Sequence, residues 1–117
     1  MLITKTPFRI SFAGGGSDMA DFYRSHGGCV LSTSINKYMY LSIHPYFEKS
    51  QTVLKYSENE IVDDIKDIKH RIFYQVLNDM NINGVEIVST ADVPAGTGLG
   101  SSSSFTVGLL NTIYSYK

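Results

Sequence analysis

The chain has 117 residues, 43% of them hydrophobic, with ten Lys and Arg set against eleven Asp and Glu for a net charge of −1. That length suits one domain of ordinary size, about 100–150 residues, and the apolar content excludes wholesale disorder. Balanced charge removes the electrostatic case for nucleic acid or an anionic membrane, and no stretch approaches the roughly 20 apolar residues of a membrane span.

Residues 2–13 predict a strand. Leu2, Phe8, Ile10 and Phe12 share one parity, and Lys5, Arg9 and Ser11 share the other, the period-two pattern of a half-buried strand. Pro7 argues for an edge or a strand start. The run Gly14-Gly15-Gly16 then turns the chain, and Ser17 or Asp18 is placed to cap a short helix that stops at Gly27-Gly28. Cys29 is the only cysteine, so no internal disulfide can form; with no signal-peptide pattern at the start, a reducing, cytoplasmic setting is expected.

Residues 29–35 and 37–47 predict two strands, rich in Val, Ile, Thr, Tyr and Phe, with Asn36 as the turn between them; residues 51–57 predict a third. Residues 65–80 predict a helix, because Ile65, Ile68, Ile72, Phe73, Val76, Leu77 and Met80 form one apolar stripe. Asp63, Asp64 and Asp67 fall at its start, where acids complement the helix dipole. Residues 85–91 predict another strand. Residues 101–116 predict a helix with Phe105, Leu109 and Ile113 on one face. Strands paired as hairpins together with helical crossovers make an α+β, or mixed α/β, domain spanning residues 1–117.

Between the last strand and the last helix runs VPAGTGLGSSSS, residues 93–104. Strand, glycine loop, helix N-terminus is an arrangement that attracts phosphate. Glycine lets the backbone close on an anion, and the unpaired N–H groups of a helix start carry partial positive charge. Serine hydroxyls add donors, and a serine oxygen can also ligate Mg²⁺. The pattern is not the G-x-x-x-x-G-K-[ST] loop, since no lysine follows Gly100, and the alternating glycines do not give G-x-G-x-x-G. A helix capped by serine with a flexible lead-in is the plainer alternative. The histidines at 26, 44 and 70 show no metal-binding spacing.

The string from Pro94 to Ser104 resembles the second signature of the GHMP kinases, the superfamily of galactokinase, homoserine kinase, mevalonate kinase and phosphomevalonate kinase. The string TPFRISFAGGGSD, residues 6–18, resembles their first signature. Gly15-Gly16 stand where galactokinase and mevalonate kinase carry Glu-His, and this version is similar to the D-glycero-D-manno-heptose 7-phosphate kinase branch and to the kinase part of fucokinases. The resemblance implies the superfamily's N-terminal domain, with a left-handed βαβ element like that of certain ribosomal proteins. It also implies transfer of the ATP γ-phosphate, with Mg²⁺, to the anomeric hydroxyl of a sugar phosphate.

Carried over by position, the resemblance puts Pro94, Gly96, Gly98, Leu99, Gly100 and Ser101, Ser102, Ser103 and Ser104 around the ATP phosphates. Ser102 is assigned to Mg²⁺, with Ser103 or Ser104 as alternatives. Gly14, Gly15, Gly16, Ser17 and Asp18 fall to the sugar, Arg9 to the charge of the transferred phosphoryl group, and Tyr38 to the border of the adenine pocket. Helix capping remains the other use for Asp18, and a surface ion pair the other use for Arg9. No acidic residue follows Asp92, so the family's downstream catalytic base and second glycine loop are absent from these 117 residues. The chain therefore reads as an incomplete N-terminal domain, inactive by itself and able to self-associate through uncovered apolar surface. A non-catalytic binding module is the second reading.

Overall fold

The structure is a computed structural model that describes residues 1–117. Five strands form one sheet: β1 (Leu2–Ala13), β2 (Leu31–Pro45), β3 (Thr52–Lys55), β4 (Asn59–Val62) and β5 (Val85–Ala91), in the spatial order β1-β2-β5-β3-β4. The helices are α1 (Ala20–His26), α2 (Arg71–Met80) and α3 (Ser101–Tyr116). All neighbouring strands are antiparallel except β3 and β5. That parallel pair needs a crossover, which β4 and α2 supply. The class is α+β, as the sequence predicts, and no helix is long and apolar enough to cross a membrane.

Helices α2 and α3 share the core with one face of the sheet. Phe8, Leu41, Ile43, Leu54 and Ile87 from the strands meet Phe73 and Leu77 of α2 and Leu109 and Ile113 of α3, all of them fully buried. Ser104 and Thr112 pin α3 to β1: the Ser104 hydroxyl donates to the Pro7 carbonyl at 3.0 Å, and the Thr4 and Thr112 hydroxyls pair at 2.5 Å. These bonds bring the start of α3 beside the middle of β1.

Four expectations are corrected. The two strands predicted at 29–35 and 37–47 are one strand, β2. Pro7 pairs with Tyr38 and Arg9 with Ser34, so residues 35–37 stand opposite Phe8 alone. Asn36 is thus absorbed as a bulge rather than a turn, because β1 runs unbroken alongside and holds both halves in register. A second irregularity, between Ser11 and Ala13, leaves Phe12 66% exposed instead of buried with Leu2 and Phe8. The short helix begins at Ala20 with Met19 as N-cap and no side-chain cap, so neither Ser17 nor Asp18 serves there. The strand β4 carries two polar residues in four and gives no apolar alternation to read.

The fourth correction concerns the helix predicted at 65–80. It is a 3₁₀ turn (Ile65–Asp67), a break, and then α2. Glu60 of β4 makes the break. Its side chain is only 8% exposed, and its carboxylate accepts the N–H of Lys69 at 2.7 Å, the N–H of His70 at 3.4 Å and the hydroxyl of Tyr56 at 3.0 Å. Two backbone donors are thereby drawn out of any continuous helix. Asp64 caps the 3₁₀ turn through the N–H of Lys66, and His70 caps α2 through its Nδ1 and the N–H of Phe73.

Burial, the bond to Glu60 and the nearby carboxylates of Glu60 and Glu58 push the Tyr56 phenol up to about 12. The unfolded chain releases that proton near the ordinary tyrosine value of about 10, while the folded chain holds it longer. Stability should therefore be level below pH 10 and fall as pH rises towards 12. Alkaline unfolding followed with phenolate absorbance checks this, and a Tyr56 that titrates with the other tyrosines would refute it. Replacing Glu60 by Ala should cost about 3 kcal/mol, since it strands two N–H groups and a phenol in a largely buried place. Urea unfolding measures that loss.

Candidate functional site

The loop leaves β5 through a clamp. Asp92 accepts the N–H of Tyr38 on Oδ2 at 2.9 Å, and its own N–H donates to the Tyr38 carbonyl at 3.0 Å. The chain turns at Pro94, whose carbonyl accepts the Thr97 hydroxyl at 3.3 Å. Gly96, Gly98 and Gly100 then adopt φ of 80°, 75° and 76°. Asn81 is the one non-glycine residue with positive φ, so Thr97 and Leu99 between them have negative φ. Alternation of this kind builds an anion-binding concavity from successive N–H groups, and only glycine adopts the positive half of it without strain.

Gly100 is the N-cap of α3 and offers no side-chain cap. The first intrahelical bond at this end runs from Ser104 N–H to the Gly100 carbonyl. The N–H groups of Ser101, Ser102 and Ser103 are therefore open, as at any uncapped helix start, and the first turn holds no acidic residue to neutralise the positive end of the dipole. Ser102 and Ser103 are exposed and Ser101 is half-buried. Ser104 stands apart from the expected phosphate set: it is buried and its hydroxyl faces Pro7.

Arg9 reaches this loop from β1. Its backbone N–H donates to the Leu99 carbonyl at 3.0 Å, and its Nη1 lies 3.5 Å from the Gly98 carbonyl. A Cβ placed on Gly100 would lie 3.1 Å from the Arg9 side chain. The chain's two ion pairs both involve Glu86, with His44 and Lys55, so the guanidinium of Arg9 has no carboxylate partner. An unpaired, half-buried cation packed on a glycine loop at a helix N-terminus makes one positive locus. The surface ion pair considered for Arg9 does not form.

A cleft of about 500 Å³ adjoins the loop at Pro94, Gly96, Ser101 and Ser102. Met39, Tyr56, His70 and Phe105 are among its other walls. Tyr38, expected at such a pocket, lies outside it. Strand alternation turns Tyr38 to the opposite side from Met39, where the Lys5 ammonium sits 3.9 Å over its ring.

Asp18, at the end of the Gly14–Asp18 segment, belongs to a different concavity. Ser17 fastens this segment to the start of β2: its hydroxyl accepts the N–H of Cys29 at 3.1 Å and lies 2.7 Å from the Gly14 carbonyl. Asp18 is exposed and lines a hollow of about 540 Å³ with Tyr23, Gly28 and Cys29. Arg9 and the loop, 89 residues apart, are thus brought together, while Asp18 is not a wall of the cleft beside the loop. Sequence reasoning missed the Tyr56, Glu60 and His70 cluster, which no motif or spacing marks, and the Asp92 clamp. No group of three His, Cys, Asp or Glu side chains is placed to hold a cation by itself.

Residues 65–117 match the family described as the GHMP kinases N terminal domain. Over 92% of its length the chain is 29% identical to the D-glycero-alpha-D-manno-heptose 7-phosphate kinase of Campylobacter jejuni subsp. jejuni serotype O:2, and it covers 35% of that protein. Among solved structures it superposes with a TM-score of 0.82 on a D-glycero-D-manno-heptose 1-phosphate kinase from Bacteriodes thetaiotaomicron, at 24% identity over 98% of this chain and 42% of that one. The mevalonate kinase of Methanococcus jannaschii gives a TM-score of 0.76 at 20% identity, with 98% of this chain and 40% of that one covered. These likenesses in structure establish a shared fold, and the chain spans well under half the length of each relative.

Proposed function

Because residues 65–117 match the GHMP kinase N-terminal domain, we propose that this chain carries the triphosphate cradle of an ATP-dependent sugar kinase. The observation that carries the reading is Arg9, a cation without a carboxylate partner, bonded to a glycine loop that ends on three open N–H groups of α3. Phosphoryl transfer depends on positioning and charge stabilisation far more than on covalent chemistry by the protein. This locus supplies both.

In this reading Gly96, Gly98, Leu99 and Gly100 shape the cradle, and the N–H groups of Ser101, Ser102 and Ser103 donate to phosphate oxygens. Arg9 balances the charge that spreads over the transferred group. Mg²⁺, when bound, neutralises phosphate charge and orients the chain of phosphates. The exposed Ser102 hydroxyl would hold it, as an oxygen donor at the start of α3. The cleft beside Gly96 takes the base. Gly14, Gly15, Gly16, Ser17 and Asp18 face the acceptor sugar, and Asp18, exposed and without a partner, is free to accept from vicinal hydroxyls.

The relative from Campylobacter jejuni favours a heptose 7-phosphate as acceptor, the resemblance of the two signatures implies transfer to its anomeric hydroxyl, and fucose is the alternative acceptor. The second, narrower reading is a binding module, in which the cradle holds polyphosphate and no group is transferred to an acceptor. Calorimetry with Mg-ATP and with inorganic tripolyphosphate tests the cradle, and ADP release with Mg-ATP and heptose 7-phosphate separates the two readings. Binding of both polyphosphates without ADP release is the expected result. Binding of neither would refute the cradle, and steady turnover would refute the binding-module reading.

A further inference from the structure

We propose that His70 is the residue of this chain that recognises the nucleobase, donating its Nε2–H to an unprotonated ring nitrogen of adenine. The inference rests on the triphosphate cradle proposed above. It assigns a role to a side chain that belongs to neither of the two signature motifs.

The cap fixes the ring's tautomer. Nδ1 accepts the N–H of Phe73 at 3.4 Å, so in the neutral ring the proton sits on Nε2. The aromatic surroundings fix its orientation. Tyr56 and Phe73 meet the ring edge-on at 4.8 and 5.0 Å between centroids, and Phe105 lies tilted against it at 5.2 Å. The backbone is held from below by the Glu60 carboxylate. Nε2 has no partner in the chain, and no buried side-chain nitrogen or oxygen lacks a partner, so Nε2 opens on solvent. His70 is a wall of two adjoining concavities that also share Ile72 and together form a trough, and one of them reaches Gly96, Ser101 and Ser102.

The result is a donor of fixed direction in a trough with apolar walls, beside the phosphate locus. A flat heteroaromatic base suits such walls, and a single aimed donor is the kind of polar group that orients a ligand in an apolar pocket. Adenine offers unprotonated ring nitrogens to meet it.

Two substitutions separate the ring's two nitrogens. His70→Asn keeps an acceptor near the Nδ1 position and can still cap α2, but it removes the Nε2–H. His70→Gln extends an amide donor towards the Nε2 position and forfeits the cap. Calorimetry on the full chain with Mg-ATP and with Mg-tripolyphosphate, plus thermal unfolding of each variant, reads both roles. We expect H70N to melt below the parent, by less than H70Q because it keeps the cap and loses only the ring's packing, and to bind tripolyphosphate like the parent, yet to lose about five- to tenfold in Mg-ATP affinity. H70Q should melt lower and keep most of its preference for Mg-ATP over tripolyphosphate. An undiminished Mg-ATP preference in H70N overturns the proposal and leaves His70 a helix cap. If the parent chain binds tripolyphosphate but binds Mg-ATP no more tightly, base recognition alone fails. If it binds neither, the cradle fails and this proposal with it.

Discussion

Replacing Arg9 by Met should weaken binding of Mg-ATP and of tripolyphosphate alike, by about 30- to 100-fold, the equivalent of about 2–3 kcal/mol for a charge-assisted contact. Met is chosen because it keeps an apolar stem against Gly100, where the Arg9 side chain packs. Its backbone N–H can still donate to the Leu99 carbonyl. What disappears is the guanidinium, which no carboxylate of this chain neutralises. Lys at the same place should restore part of the affinity, because it returns a point charge without the planar fork. Calorimetry at fixed salt decides it, since a phosphate contact weakens as salt is added. If R9M binds as tightly as the parent and melts at a lower temperature, Arg9 serves to pack the loop and its charge has no part in binding.

The largest effect on stability is expected from Gly14→Ala. Gly14 has φ of 78°, and a Cβ there would lie 1.8 Å from the Cys29 carbonyl oxygen. Both faults act together. The left-handed backbone costs Ala about 1–2 kcal/mol, and the overlap with a backbone atom cannot be relieved by turning a side chain. A total loss of about 3–5 kcal/mol is expected, together with the Ser17–Cys29 bond that closes the turn. Gly16 is the internal control. Its φ is 88°, but nothing lies within 4 Å of an added Cβ, so G16A should lose only the conformational term. Thermal unfolding and limited proteolysis between β1 and β2 compare the two. Equal melting temperatures for G14A and G16A would show that the close approach of residues 14 and 29 does not hold this turn.

G14A also bears on the proposed acceptor site. Asp18 and Cys29 line the same hollow, and Gly14 packs against the Cys29 backbone. Loss of acceptor binding in G14A with intact tripolyphosphate binding would follow from the separation of the two concavities.

Elements whose pattern is local were legible in the chain itself. The strand β5 and the helix α3 stand at the predicted residues, because turn residues bound the first and a serine run opens the second. Phe105, Leu109 and Ile113 face the core as their spacing requires, since side chains three and four apart share one face of a helix. The glycines at 96, 98 and 100 could be read as a backbone meant for positive φ, and all three adopt it. Spacing along the chain is information that the order of residues carries directly.

What failed was decided by partners far away in sequence. No residue between Ile65 and Met80 is glycine or proline, and nothing local ends a helix there. The break comes from Glu60, a carboxylate on a neighbouring strand that captures two backbone N–H groups. Asn36 looks like a turn until β1 is laid beside it and keeps the chain extended. His70 is one histidine among three by sequence, and only the fold closes Tyr56, Phe73 and Phe105 around it. The order of residues by itself determined the class of fold, the glycine cradle and the helix start behind it, since these are properties of neighbouring residues. The meeting of Arg9 with the loop, the placing of Asp18 in a separate concavity and the aromatic packing around His70 were decided by tertiary structure alone, because pairing and burial act between residues that the sequence keeps apart.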